Sequence, residues 1–582
     1  MRRKRLFGPA IILLAAGIAI APLLRSGPSC GADLFFHLAS WIEARNSMLL
    51  GIPYPHWTPG ANFGAGEPRF VFYPPLTWMT GAALGLVFPW RLVPLIFGFL
   101  LFAATGLATR ALAREILEDG PATLAGCAAI FSGFTLLTFY ARSDFAELAG
   151  GFWIPLMILF LLRDRNPSSG LWKRTLDGST VALAITVAGV WLSNGPAALM
   201  ASYLLVSFAV VAAIVGKSTA PMVRAAIGLG LGVGLAGCFL FPAAWEQPWT
   251  NLHAAVAIHN YQVEYSWLFS HHTDPNLLRY SHDQKLLVAS WVGVTMIAVA
   301  LLSALVAAKR GKLPGTRRWW IPLLLVPFAV LFFQLPISLP VWHSLPLLRY
   351  LQFPWRWLLV LEAPMAIFFA AATWFVPLRR RIPLLAACAV LFLALSFGAG
   401  KYWFIEGGAD QDRIVESEEI GIGVYGKPEY APPGVHISQV RTGIPGACLV
   451  PAPGTESVEP RAPLTPQPKP RPGGCGAGFT AALYQPEHKQ ITGVADYPGK
   501  LVLRLRSYPA WRVTVNGRPT EPTVEPSYGL MEVPVPQGRV NVVIDWGTTP
   551  DVIAGRWISG ISVLLLTGLW YLERRLNRAR LS

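Results

Sequence analysis

The chain has 582 residues, of which 53% are hydrophobic and only 14% are charged, and its mean hydropathy is +0.45. This composition excludes a soluble globular protein, whose water-facing surface needs more charge. The formal net charge of +16 would suggest a nucleic-acid partner for a soluble protein. In a membrane protein, the meaning of a positive net charge depends on where the basic residues lie.

Twelve apolar runs are candidates for membrane crossing, which takes roughly 20 residues per helix. They are residues 8–25, 92–109, 121–140, 149–162, 178–195, 197–215, 222–242, 286–307, 319–338, 355–376, 382–399 and 555–572. If a further run, 74–89, also crossed the membrane, the thirteen spans would place the two termini on opposite sides. The basic residues at both ends indicate instead that both termini are cytoplasmic. We therefore predict a re-entrant or interfacial helix at 74–89.

Lys and Arg cluster at alternate ends of these runs, for example at residues 2–5 and 379–381. By the positive-inside rule these ends are cytoplasmic, so about half of the basic residues are topology markers and no nucleic-acid partner is expected. Both termini are predicted to be cytoplasmic. The first run lacks a cleavage signal and is expected to be a membrane anchor.

The predicted fold is an all-α polytopic membrane protein with a small extracytoplasmic β domain. Its parts are a multi-span domain, 1–399, with a first outer loop, 26–73; a β-rich segment, 400–553; and a last span with a basic tail, 554–582. The β-rich segment alternates apolar and polar residues and turns at Asn516-Gly517. A Pro/Gly-rich excursion, 449–474, interrupts it, and Cys448 and Cys475 on either side form a disulfide or remain two free thiols.

The first outer loop holds two candidate groups. Asp33 and His37 are four residues apart and share a helix face, which suits a base with its orienting partner or a pair of metal ligands. The alternative is an interfacial helix with a polar face. Further along, aromatic and charged residues are positioned to line a sugar or headgroup site, unless they form an interfacial aromatic belt. These residues are His56, Trp57, Glu67, Arg69 and Tyr73.

Arg142, Asp144 and Glu147 lie between two apolar runs, where ionisable groups are costly unless they face a cavity or one another. The acids could bind a divalent cation through oxygen, or pair with Arg142 to cap the helices. A third group, Arg349, Gln352 and Arg356, lies beside aromatic residues and suits a lipid-linked phosphate, since guanidinium binds phosphate bidentately. Ordinary lipid headgroups are its alternative ligands.

The sequence has no P-loop, no dinucleotide-binding fingerprint, no zinc spacing and no nucleophile elbow. Chemistry on the outer face must then use an already activated substrate. Polyprenyl-phosphate-linked sugars are available there, whereas nucleotide sugars generally are not.

Several motifs, taken in order, resemble those of a known group. They are Gly31-Ala-Asp33-Leu-x-x-His37, Gly51-x-Pro-Tyr-Pro-x-Trp57, Phe72-Tyr73-Pro-Pro-Leu76, Arg142-Ser-Asp144-x-x-Glu147 and Gln352-Phe-Pro-Trp-Arg356. Together they resemble the GT-C superfamily of integral-membrane glycosyltransferases. They are most similar to the bacterial membrane proteins labelled "6-pyruvoyl-tetrahydropterin synthase-related".

The resemblance implies a GT-C fold in which Asp33 is the catalytic acidic residue, and Asp144 and Glu147 are the acidic pair of the second outer loop. A divalent cation, Mg²⁺ or Mn²⁺, would be held by these three acids, although the second loop lacks a strict Asp-x-Asp. The implied donor is a polyprenyl-phosphate sugar.

We therefore expect a hexosyl- or pentosyltransferase of the cell envelope, on the outer face of the bacterial inner membrane. It would transfer a sugar to a glycan, lipid or protein acceptor while in contact with membrane lipids. The expected catalytic residues are Asp33, His37, Asp144 and Glu147, and the remaining candidates bind substrate. Two alternatives stay open: a transporter or flippase of lipid-linked sugars, and a non-catalytic assembly protein.

Overall fold

The computed structural model describes residues 2–164, 170–257, 261–273, 277–435, 440–451 and 478–578. Within these ranges, eight helices are long and apolar enough to cross a membrane, and two bent helix pairs add two more candidates. The shorter apolar helices Phe7–Ile20 and Gly178–Ser193 complete twelve segments, which coincide with the twelve predicted runs. The predicted polytopic all-α class is confirmed.

The first half of the chain contains α1 (Arg2–Ile20), α2 (Leu23–Ser26), α3 (Leu34–Leu49), α4 (Ala61–Gly64), α5 (Arg69–Phe72), α6 (Pro75–Gly85), α7 (Val93–Ala113), α8 (Asp119–Ile130), α9 (Gly133–Leu137), α10 (Phe145–Leu148), α11 (Gly150–Leu162), α12 (Leu171–Thr175), α13 (Gly178–Ser193), α14 (Gly195–Gly216) and α15 (Ala220–Leu235). The second half contains α16 (Gly237–Trp245), α17 (Leu277–Lys309), α18 (Arg317–Phe333), α19 (Leu339–Ser344), α20 (Leu358–Trp374), α21 (Leu378–Tyr402), α22 (Gly408–Glu419) and α23 (Pro550–Arg578).

The borderline run 74–89 forms α6, an eleven-residue helix that is too short to cross the bilayer at 1.5 Å per residue. It packs against α3, where a side chain at Gly81 would lie 2.4 Å from the Trp41 ring. Glycine also brings α7 and α8 together. A Cβ at Gly126 would lie 2.5 Å from the Gly106 carbonyl oxygen, the close approach that small residues give membrane helices.

The β domain consists of two antiparallel sheets with apolar faces in contact. Their strands are β1 (Ala447–Pro451), β2 (Phe479–Tyr484), β3 (His488–Ala495), β4 (Gly499–Arg506), β5 (Trp511–Val515), β6 (Arg518–Thr520), β7 (Thr523–Val524), β8 (Leu530–Val535) and β9 (Gly538–Trp546). One sheet has the order β1-β4-β8-β7 and the other β2-β3-β9-β5-β6. Alternate residues of β4, Leu501 and Leu503, share a core with Val542 and Ile544 of β9.

The predicted turn at Asn516-Gly517 joins β5 to β6, and both residues have positive φ, 50° and 78°. Glycine adopts this conformation without strain and asparagine tolerates it, which explains the pair. Cys448 on β1 is disulfide-bonded. Its predicted partner Cys475 and most of the Pro/Gly-rich excursion lie outside the described residues.

The first loop and the β domain share a core, although they are far apart in the sequence. Trp57 is fully buried among β-domain residues, and its ring centroid lies 5.2 Å from that of Trp511. On another side, Tyr508 donates a hydrogen bond to Glu246, which directly follows α16. Burial, and then the neighbouring Asp551, raise the pKa of Glu246 to about 8.

A pair of buried carboxyl groups joins α22 to α3. Glu43 accepts a hydrogen bond of 2.6 Å from the Gly60 backbone, and Glu418 lies close enough to share a proton with it. Burial raises the pKa of Glu418 to about 7, and burial and Glu418 together raise the pKa of Glu43. One proton held between the two groups therefore stabilises this contact at acidic pH.

We expect the free energy of unfolding to fall as the pH rises from 4.5, the ordinary pKa of glutamic acid, to about 7. The folded state binds the Glu418 proton more tightly than the unfolded state does, so stability present at low pH is lost through this window. Glu418→Gln should reduce the decline by on the order of 1–3 kcal/mol. Unfolding of the purified protein at several pH values measures it.

Glu416→Gln is the matched control, because Glu416 is an exposed residue on the same helix. An identical pH dependence in the wild type and the Glu418→Gln variant would contradict the shared proton.

Candidate active site

A break between two membrane helices builds the centre of the site. The helix that begins with α8 ends in a π-helical turn, Thr138–Arg142, and Ser143 then adopts a left-handed conformation with φ of 54°. Such turns and strained residues concentrate at functional sites. Asp144 caps α10 by accepting a 2.9 Å hydrogen bond from the Glu147 backbone. The break therefore leaves Arg142, Asp144 and Glu147 together.

The segment after the first span packs directly against this break. The Asp33 backbone donates a 2.8 Å hydrogen bond to the Arg142 carbonyl, and the Gly31 backbone donates one of 3.1 Å to Ser143 Oγ. A Cβ at Gly31 would lie 2.5 Å from the Arg142 carbonyl carbon, so only glycine permits this approach. The contact places Asp33 beside Arg142.

The Arg142 guanidinium connects three acids. It donates to Glu147 Oε2 at 2.5 Å and to Asp144 Oδ2 at 2.8 Å, and it lies 3.8 Å from Asp33 Oδ2. The carboxyl side chains of Asp144 and Glu147 are 9% and 1% exposed, whereas that of Asp33 is 36% exposed. Asp33 is thus the one of these three acids that is open to water.

His37 lies behind this cluster and is 1% exposed. Its Nε2 is 3.6 Å from Asp144 Oδ1. Burial alone would raise the pKa of Asp144, but Arg142 and then His37 hold that pKa well below its ordinary value. Asp144 is therefore a permanent anion that orients Arg142.

Of the third predicted group, which consists of Arg349, Gln352 and Arg356, only Arg356 reaches the cluster. Arg356 Nε lies 3.6 Å from Glu147 Oε2, and Arg356 Nη1 donates to the Leu351 carbonyl at 3.2 Å. The Arg356 Nε atom is buried and has no hydrogen-bond partner. The neighbouring Trp355 ring packs against Arg142, whose Cζ atom lies 4.7 Å from the ring centroid.

Two residues of the third group point elsewhere. Gln352 donates to the Ala255 carbonyl at 2.8 Å, and Arg349 is exposed and stacks on Tyr350. Tyr73 lies at the edge of the cluster, with its ring centroid 6.1 Å from that of His37.

The other residues of the first loop form structural contacts. Glu67 and Arg69, which were expected to line a ligand site, are fully buried and pair with each other at 2.8 Å, and their part in ligand binding stays a prediction. Arg69 also donates a hydrogen bond to the Tyr425 carbonyl, and the Lys427 backbone donates one to Glu67. His56 contacts Glu487 of the β domain at 3.3 Å, and Trp57 belongs to the β-domain core.

Sequence reasoning missed one acid, Glu362, which is buried in the span formed by α20. The available signal was its position, because a single acid inside an apolar run is itself a functional indication.

The three acids proposed as metal ligands do not fit a cation. The Arg142 guanidinium already lies between them and binds both Asp144 and Glu147. Within the described ranges, no three His, Cys, Asp or Glu side chains are arranged to hold a metal ion. What the cluster offers is one accessible carboxylate beside two guanidinium groups.

Comparison with known proteins gives the family. The model of the 6-pyruvoyl-tetrahydropterin synthase related domain, a family of membrane proteins, matches residues 70–403, which is more than half of the chain. The chain belongs to this family, as its motifs predicted. No curated protein matches it by sequence.

Among solved structures, the chain is similar to three GT-C glycosyltransferases. The Archaeoglobus fulgidus oligosaccharyltransferase has 14% identity and a TM-score of 0.43, over 75% of this chain and 62% of its own. Arabinofuranosyltransferase AftD from Mycobacteria has 19% identity and a TM-score of 0.41, over 69% of this chain and 27% of its own.

The third is ArnT from Cupriavidus metallidurans bound to undecaprenyl phosphate, with 15% identity and a TM-score of 0.41 over 65% of this chain and 62% of its own. The chain thus spans less than two thirds of each of these proteins. At scores this low the likeness carries no conclusion about chemistry, which must come from the cluster itself.

Replacing Arg142 by Met should lower the free energy of unfolding by about 3–5 kcal/mol, because it removes the guanidinium that is hydrogen-bonded to both buried acids, Asp144 and Glu147. The melting temperature of the purified protein measures this loss. Adding Glu147→Gln to Arg142→Met should recover part of it.

Arg349→Met is the matched control, since the Arg349 side chain lies at the surface. Equal melting temperatures for the Arg142 and Arg349 variants would show that the buried cluster is not what stabilises this region.

Proposed function

We propose that the protein is a GT-C-type membrane glycosyltransferase that moves a sugar from a polyprenyl-phosphate donor to an acceptor hydroxyl. The observation that carries this proposal is the convergence of Asp33, Arg142 and Arg356 on one cluster, with Asp33 alone substantially exposed. An exposed carboxylate beside guanidinium groups suits a reaction that removes a proton and releases a phosphate.

Each group has a distinct role in this reaction. Asp33 accepts the proton of the acceptor hydroxyl as its oxygen attacks the anomeric carbon. The bond from that carbon to the phosphate oxygen breaks, and the phosphate leaves with the electron pair. Arg356, whose Nε makes no hydrogen bond, binds the leaving phosphate, and the exposed Arg349 is a second cation nearby in the sequence.

Arg142 is a positioning residue, since Asp144 and Glu147 largely neutralise its charge. It holds the Asp33 carboxylate toward the reaction centre, while His37 supports Asp144 from behind. The reaction in this form uses no step through a metal.

We further propose that the β-domain face is extracytoplasmic in a bacterial inner membrane and that both termini are cytoplasmic. The basic residues at the opposite ends of the spans support this orientation. The acceptor is then a glycan, a lipid or a protein of the cell envelope, and the domain division at residues 399 and 553 separates the catalytic spans from a β-rich part.

Asp33→Asn should abolish transfer while expression and membrane insertion remain normal, because the amide keeps the shape of the side chain but cannot accept the proton. Transfer from polyprenyl-phosphate sugars to envelope extracts, followed with a labelled sugar, measures this.

Asp412→Asn is the matched control, because Asp412 is an exposed residue on α22. Full transfer by Asp33→Asn would refute the role of Asp33. If instead the wild type moved labelled lipid-linked sugar across vesicles without bond cleavage, the transporter alternative would replace the enzyme.

Transfer should persist in the presence of EDTA and should not rise on addition of Mg²⁺ or Mn²⁺, since Arg142 occupies the space between the acids. The same labelled-sugar assay measures it after exhaustive chelation. A loss that either cation restores would show that a metal binds elsewhere in the substrate complex.

A further inference from the structure

A buried acid lies beneath the cluster, inside the membrane helices. Glu362 on α20 is 3% exposed, and its Oε1 atom accepts hydrogen bonds from Thr135 Oγ1 and, at 2.9 Å, from Ser132 Oγ. Its Oε2 atom is buried without a hydrogen-bond partner. Among the described residues, no basic side chain lies within ion-pair distance of it, so a charge on Glu362 would be uncompensated.

The second acid of interest is Glu147. Its Oε2 atom binds Arg142, while its Oε1 atom is buried and has no hydrogen-bond partner. The Glu147 carboxylate is close enough to act electrostatically on Glu362. Glu362 also packs on the helix that follows Glu147, because a Cβ at Gly151, one turn after Glu147, would lie 3.3 Å from Glu362 Oε2.

Two neighbouring carboxylates in a region of low dielectric constant cannot both be ionised at reasonable cost. Glu147 faces the guanidinium groups of Arg142 and Arg356 and therefore keeps its charge. Glu362 contacts hydroxyl groups instead, so it is the member of the pair that keeps a proton.

We propose that Glu362 is a neutral carboxylic acid, hydrogen-bonded to Ser132 and Thr135 at the start of the helix that leads to Arg142, and that it positions the Arg142–Glu147–Arg356 cluster from the membrane side. It is a positioning residue and does not touch substrate. The protonation state stands independently, whereas the consequence for transfer rests on the proposed glycosyltransferase function.

Infrared spectroscopy of the purified full-length protein tests the protonation. The C=O stretching band of a protonated carboxylic acid should be present at neutral pH and should weaken in Glu362→Gln, but not in the exposed control Glu416→Gln. A band that is unchanged in Glu362→Gln would overturn the proposal.

Transfer assays test the positioning role. Gln at 362 retains one acceptor and one donor, so Glu362→Gln should keep kcat within about twofold of the wild type. Glu362→Leu offers neither and should lower kcat by about tenfold or more. Thermal unfolding of both variants shows that they are folded.

Rescue by Gln separates positioning from a requirement for the negative charge. Equal loss of kcat in folded Gln and Leu variants would overturn the positioning role. If the wild type transfers no sugar, the proposed function fails, and the infrared comparison still decides the state of Glu362.

Discussion

A guanidinium group enclosed by carboxylates is the constraint on which the site depends. Asp144 and Glu147 are almost fully buried, and a buried charge without a partner costs several kcal/mol. Arg142 must therefore lie between them, and the backbone around it takes the shape that this requires. The π-helical turn and the left-handed Ser143 bring all three side chains to one point, at a conformational cost that the ion pairs offset.

The same cluster makes one acid different from the others. Asp144 and Glu147 are enclosed and oriented, whereas Asp33 meets Arg142 at longer distance and remains open to solvent. A carboxylate in such a position is available as a base while its orientation is controlled. Charge balance in the buried layer thus determines which acid stays exposed, and in the proposed reaction Arg356 is the cation that meets an anionic leaving group.

Much of this arrangement could be predicted from the sequence, because apolar runs mark the spans and the few ionisable residues between them must cluster. Asp33, His37, Arg142, Asp144, Glu147 and Arg356 do meet. The contacts of the residues in the first outer loop could not be predicted in this way. Glu67 and Arg69 depend on backbone groups about 360 residues later in the chain, and their spacing contains no sign of those partners. Only its position inside an apolar run marks Glu362, because its partners Ser132 and Thr135 are common residues of apolar helices.

The burial of Trp57 in the β-domain core has a consequence for biosynthesis. The loop that carries Trp57 follows the first span, but its packing partner Trp546 is nearly 500 residues downstream. At about 5–20 residues per second, translation of the intervening chain takes tens of seconds. During that time the spans insert while this loop lacks its partner. The first loop therefore reaches its final packing among the last parts of the molecule, and the Trp57 indole needs temporary shelter at the membrane surface until β9 has been made.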